Sequence, residues 1–331
     1  MFVEFLSTEL ADRTVCVTSA IGRLSVSTDA SAVKVTLSHE GNEFYSATLY
    51  AYDGAVTIDD LASVIELYFI RLDWHIHSIR FTVTAVDDTS VSSYMDVNCL
   101  YCAYDLPEEY DPSESFFTTL QVQRIPASAK LDIYGMVVKN NPVRYHISGF
   151  KSDGSLTVCE ILSSAMNGFV TVDIPSIIST CKSDYSMERI SAISVVYGSL
   201  TKYFFIYDTP NTLEFRFRNC FNCMETVFIS GSSVMKTEVT RDTALCAGRS
   251  QQFNQLTTRT YEHNTAPLTR MEAAAMSQLI ESHSAFVVIG GAEYPVVITD
   301  HTSEISNDDS TLNIMNFTWR FIGKRPDQAL S

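Results

Sequence analysis

The chain has 331 residues, 46% of them hydrophobic and 19% charged, and its 39 acids against 23 bases give a formal charge of −16. That much apolar material excludes a globally disordered chain and is enough for two or three cores. The acidity argues against phosphate backbones and anionic membrane surfaces as partners, and no Lys/Arg cluster breaks it.

Residues Met1 to Leu10 place Glu4 and Glu9 where the apolar stretch of a signal peptide would run, with no basic residues ahead of it. No apolar run approaches the ~18 residues of a membrane span. Cytoplasmic synthesis is therefore expected. The eight cysteines lack regular spacing and read as reduced thiols. Abundant Tyr, Phe, Val, Thr and Ile favour strands over long helices.

In chain order, Val33, Val35 and Leu37 alternate with Lys34, Thr36 and Ser38, and His39 to Asn42 turns the chain into a second alternating run, Phe44 to Ala51. This predicts a hairpin. Thr57 and Asp60 resemble a capping box, followed by Ile58, Leu61, Ile65, Tyr68 and Leu72 at helical spacing. Strands are expected over Ser78 to Val86 and Tyr94 to Tyr104.

The same order then recurs. Gly54-Ala-Val-Thr-Ile-Asp59 reappears as Gly168-Phe-Val-Thr-Val-Asp173, with a hairpin upstream (Val143 to Ile161) and a short helix downstream (Ile174 to Cys181). Strands Ile190 to Tyr197 and Lys202 to Asp208 complete the copy. Pro175 suits a first helical turn but suggests a shorter helix. The acidic, Pro-containing stretch Asp105 to Ser115 reads as a linker, and Asp208 to Thr212 as a second break.

Beyond Leu213, strands are expected at Leu213 to Phe217, Glu225 to Ile229 and Val234 to Thr240. Thr269-Arg-Met-Glu272 is a capping box opening a helix through His283. Ala285 to Ile289, a Gly290-Gly291 turn and Tyr294 to Thr299 follow. Asn307 to Ser310 then turns the chain into Leu312 to Ile322, whose Met315, Phe317, Trp319 and Phe321 share a face. The fold class is mainly β with a few helices: two tandem related modules, 1–125 and 126–210, each with one helix, and a third α+β module, 211–331.

The chemistry-bearing residues form no convincing site. Cys99-Leu-Tyr-Cys102 and Cys220-Phe-Asn-Cys223 are two CxxC pairs, as zinc ribbons use, but far apart in sequence, so buried unconnected thiols are the favoured reading over a shared zinc. His75 and His77 share a face if extended, without a third ligand nearby. Asp300, His301, Ser303, Glu304, Asp308 and Asp309 include acid–base types, but adjacency supplies no triad geometry, and the alternating acids and Gly of a Ca²⁺ loop are missing. Asp59 and Asp173 suit helix first turns; a doubled site is the alternative. Tyr45, Tyr50, Tyr101 and Tyr104 either line a sugar-binding face or pack across strands. There is no Gly-rich phosphate loop. No catalytic, cofactor-binding or metal residue is assigned, no cofactor is expected, and the chain reads as a non-enzyme.

Leu213 to Asn219, the capped helix Thr269 to His283, Tyr294 to Asp300 and Asn313 to Phe321 together resemble proteins of phages and prophages of gut Bacteroidetes, themselves similar to tail or baseplate structural components. Asp53-Gly54, Val56-Thr57 and Asp60-Leu61 resemble their front modules. The resemblance implies a structural protein of virion assembly that oligomerises and contacts neighbouring tail proteins, ending in a tail particle. A bacterial surface β-sandwich that binds carbohydrate or protein is the alternative.

Overall fold

A computed structural model describes residues 1–6, 10, 15–72, 76–104, 106, 110–207, 212–302, 305 and 312–323. The chain divides into two compact units, residues 1–118 with 220–223 and residues 119–219 with 224–331, so the second unit holds both the second copy and the third module.

The first unit contains β1 (Val3–Phe5), β2 (Cys16–Val17), β3 (Leu24–Thr28), β4 (Ala32–His39), β5 (Asn42–Tyr50) and β6 (Ala55–Ile58). Helix α1 (Leu61–Phe69), β7 (Ile76–Ala85) and β8 (Ser92–Leu100) follow. Glu40 and Gly41, both at positive φ, close the expected hairpin with a turn whose twist matches its strands. One sheet runs β2-β8-β7-β4-β5 and the other β1-β3-β6. Val33, Val35 and Leu37 face Val26, Val56 and Ile58 in one core, which Leu61, Ile65 and Phe69 of α1 complete. Their four-residue spacing is the apolar stripe of an amphipathic helix.

The entry to α1 differs from the expected capping box. Thr57 pairs with Ser25 inside β6, and Asp60 caps the helix at φ 57° without a side-chain hydrogen bond. The sheet register claims Thr57, and Asp59 instead pairs with Arg23 at 2.7 Å.

The second unit begins by repeating this plan. It contains β9 (Val122–Ile125), β10 (Lys130–Tyr134), β11 (Pro142–Phe150), β12 (Leu156–Ser164) and β13 (Phe169–Asp173). Helix α2 (Ile174–Tyr185), β14 (Arg189–Tyr197) and β15 (Leu200–Ile206) complete the copy. Its sheet runs β9-β15-β14-β11-β12, matching β2-β8-β7-β4-β5 strand for strand, and the outermost pair is parallel in both. The smaller pairings β3–β6 and β10–β13 are both antiparallel. The repeated glycine has a reason: Gly54 and Gly168 adopt φ 75° and 82° ahead of β6 and β13, a left-handed conformation that a Cβ disfavours. Asp173 caps α2 by accepting from the Ser176 N–H at 3.1 Å, which holds its carboxyl below the usual range. Contrary to expectation, α2 is the longer helix, twelve residues against nine. Pro175 sits in the first turn, where an N–H has no partner to lose.

The remainder forms β16 (Leu213–Arg218), β17 (Met224–Ile229), β18 (Gly231–Cys246), β19 (Arg249–Thr265), α3 (Arg270–Glu281), β20 (Ala285–Ile289), β21 (Ala292–Thr302) and β22 (Asn316–Phe321). These strands make one seven-stranded sheet, β17-β16-β20-β21-β22-β19-β18. The Thr269–Glu272 capping box is present in full. Ala275, Met276 and Leu279 of α3 share a core with Phe215, Phe217, Phe317 and Trp319. Asn307 to Ser310 and the break at 208–211 lie outside the described residues.

Polar groups tie the repeated module to this sheet. Lys202 of β15 donates to Glu225 of β17 at 3.3 Å with both side chains buried, and Asn219 donates to the other Glu225 oxygen at 2.9 Å. Arg124 forms a two-point pair with Glu272 at 2.5 and 2.6 Å, and Gln123 donates to the Thr226 carbonyl at 2.7 Å. Burial pushes the Lys202 ammonium below its usual pKa, opposed by the Glu225 charge. Removing one member of a buried pair strands the other's charge. Lys202→Met is therefore expected to cost the second unit about 3–5 kcal/mol by urea unfolding, and adding Glu225→Leu to recover most of it; a single variant as stable as the wild type would refute this.

Candidate assembly surface

β18 and β19 make the longest hairpin among the described residues. They pair in unbroken antiparallel order from Gly231–Thr265 to Cys246–Arg249, with one register shift at Asp242/Thr243. β22 pairs only with Tyr261 to Asn264 of β19. From Lys236 outward the ribbon therefore has no third strand among the described residues, and at ~3.3 Å per residue it projects about 35 Å. Ala247 and Gly248 form its tip at positive φ. β18 is exposed along its length, including Val234, Met235, Val239 and Leu245.

The root is tightly specified. Gly231 sits at φ 151°, and a Cβ there would fall 2.0 Å from the Asn264 carbonyl oxygen. Lys236 pairs with Glu262 across the strands. Farther out the cross-strand contacts are polar, as between Asp242 and Asn254 at 3.0 Å and between Arg241 and Gln255 at 3.3 Å. An isolated two-stranded ribbon is marginal in water, and its edges present rows of unpaired N–H and C=O groups. This arm can take a strand on either edge.

The arm was only partly legible: the expected strand Val234 to Thr240 lies inside the longer β18, and β19 was not anticipated. Its Thr, Gln and Asn residues make no apolar face; Ala247-Gly248 between Thr-rich runs was the available signal.

A second open surface is the outer face of the β12-β11-β14-β15-β9 sheet. Leu156, Val158 and Leu162 line one edge strand and Tyr203, Phe205 and Tyr207 the other side, each about half to two-thirds exposed and on the face opposite the core. The matching face of the first copy is more polar, with Lys34, Thr36, Thr82, Thr84, the two-point Arg80–Asp96 pair at 2.8 and 2.9 Å and the exposed Tyr94 ring beneath Arg80.

The remaining candidates separate. Cys99, Cys102, Cys220 and Cys223 are all buried, yet the motifs are not unconnected: both lie in the first unit, where the Ala103 N–H donates to the Cys220 carbonyl at 2.8 Å. Chain folding supplies a proximity that sequence distance hides. Burial pushes the Cys99 thiol far up, as does Cys16 beside it. Tyr110, near Cys102, Cys220 and Cys223, is pushed up to about 12, mainly by burial. Among the described residues no group of three or more His, Cys, Asp or Glu is placed to hold a metal ion. Of the eight thiols, only Cys246, beside the arm's tip, is exposed.

His75 lies outside the described residues, but His77 joins a chain that sequence reasoning missed: Tyr68 Oη contacts His39 Nδ1 at 3.1 Å, and His39 Nε2 contacts His77 Nδ1 at 3.0 Å. His39, His77, Arg80 and Asp96 border a cleft of about 580 Å³. Such a chain can hold or pass a proton.

Asp300 and His301 are consecutive on β21 and exposed, and both border a cleft of about 400 Å³ with Glu262 and His263. Ser303, Glu304, Asp308 and Asp309 lie outside the described residues. The four tyrosines make no common platform, for Tyr101 is buried, Tyr45 packs against the core and Tyr50 is exposed on the opposite face of β5.

No protein-family model and no curated protein matches the chain. Among solved structures, the extracellular region of plexin A4 is similar at 10% identity and a TM-score of 0.24, across 98% of this chain and 40% of that one. This chain thus spans less than half of the plexin chain's length, and so low a score carries no weight for fold or function. No helix among the described residues is long and apolar enough to cross a membrane.

His263, one strand pair from the arm's root, is buried against Phe317, and neither ring nitrogen makes a hydrogen bond of good geometry. Burial lowers its pKa below 6.5, while the Ser230 carbonyl works weakly the other way. Below pH 6.5 the unfolded chain therefore takes up a proton that the folded one resists, so this residue's contribution to stability falls as pH falls. The second unit's urea midpoint should decline from pH 6.5 to 5, and His263→Phe should flatten that decline. An unchanged slope would show that His263 does not cause it.

Proposed function

We propose that this protein is a non-catalytic assembly component, of the kind that builds a phage or prophage tail or baseplate, and that the β18–β19 arm is its means of joining neighbouring subunits. The observation that carries the reading is the long ribbon, both of whose edges beyond the root are unpaired among the described residues. A ribbon of that length exposes more backbone hydrogen-bonding capacity than a monomer has use for, and strand addition is the common way to satisfy it. The open face of the second copy, with its aliphatic and aromatic side chains, supports a further subunit contact. The acidic surface keeps free subunits from collapsing on one another before they engage.

A sugar platform is disfavoured because the tyrosines scatter. Particles or defined oligomers are expected by light scattering and electron microscopy at high concentration. A variant in which a short Gly-containing turn replaces residues 236–259 should remain folded, with an unchanged circular dichroism spectrum, and stay monomeric. If the shortened protein assembles as the full chain does, the arm is not the joining device.

A further inference from the structure

The partner of the arm follows from charge, taking the assembly reading above as given. Residues 1–118 hold 19 acids and 5 bases, a formal charge of −14, whereas the rest of the chain holds 20 acids and 18 bases, a formal charge of −2. The chain's acidity is thus concentrated in the first unit. The projecting part of the arm, residues 236–259, is the reverse: Lys236, Arg241, Arg249 and Arg259 outnumber Glu238 and Asp242.

The register sharpens this. Met235, Thr237, Val239 and Arg241 of β18 pair with Tyr261, Arg259, Thr257 and Gln255 of β19, and paired residues share a face. That face has two arginines, two exposed apolar side chains and no acid. Arginine, methionine and aromatic residues are the types enriched where protein surfaces meet. Two such arms repel each other, and a basic ribbon is steered toward an acidic body.

The first unit offers a matching edge. β5 closes its five-stranded sheet and, among the described residues, pairs only with β4. Its nine residues span about 30 Å, shorter than the arm's projecting length. β5 ends at Tyr50, 82% exposed, with Tyr52 at 88% just beyond, and Asp53 follows.

We propose that the arm of one copy adds to the β5 edge of the acidic unit of a second copy, with Arg241 and Arg259 set against Tyr50, Tyr52 and the surrounding carboxylates. The contact joins different surfaces of two identical chains, so it is head-to-tail and generates a ring or a filament rather than a two-fold dimer.

Complementary variants test this. Arg241→Glu with Arg259→Glu blocks the donor face, and Tyr50→Ser with Tyr52→Ser blocks the acceptor; all four side chains are exposed, so folding should be retained. In sedimentation, the wild type should form assemblies of more than two chains that dissociate as salt rises. Each double variant alone should be monomeric, and an equal mixture should give a species of two chains and no larger one, since one intact donor and one intact acceptor remain. Should the Tyr50/Tyr52 variant assemble like the wild type, or the mixture remain monomeric, the β5 edge is not the acceptor, while the assembly reading stands. A wild type that is monomeric throughout would overturn both, and one that instead binds an oligonucleotide through the arm would give the basic face another partner.

Discussion

A lysine held out of water fixes how the second unit is built. Lys202 rises from a strand of the repeated module into a space closed by the C-terminal sheet, and Glu225 and Asn219 meet it there. A stranded ammonium in such a place is costly, so the pairing demands one mutual placement of the two sheets. Arg124 and Gln123 add further fixed points on the neighbouring strand. Apolar packing alone would tolerate sliding between modules; directional hydrogen bonds to a buried charge do not. The arm grows from the sheet so fixed, and its root inherits that rigidity.

The two copies of the hairpin–helix–strand module keep strand order, the parallel edge pair and the left-handed glycine, while their outer faces diverge. One face is mostly threonine, serine and a two-point ion pair over a tyrosine ring; the other carries leucine, valine and three aromatic rings. The inward positions must fill a core, so they vary within narrow limits. Outward positions are free of that demand and take on whatever each copy must meet.

Much of the fold was legible because local chemistry and periodicity agreed. The Glu40-Gly41 turn, the capping box at Thr269 and the glycine-led repeat each have a mechanism that acts within a few residues. Thr57 was misread because a strand register set by Ser25, thirty-two positions away, outweighed a local capping pattern. The two CxxC motifs met for a similar reason: a backbone hydrogen bond joins segments that no spacing rule connects. The arm was the hardest to see. Period-two burial is the usual signature of a strand, and a ribbon exposed on both faces has none. Of the surfaces used in the functional reading, only the acidity was visible in advance; the arm's isolation and the open sheet face depend on which strands lack neighbours.

The lone accessible thiol has a practical side. Because the other seven are shut inside cores, a maleimide dye or spin label will modify this molecule at a single point, Cys246, next to the far end of the ribbon. The protein thus comes with a built-in reporter whose brightness or mobility registers whether the ribbon's end stands in solvent or against another surface, without any change to its sequence.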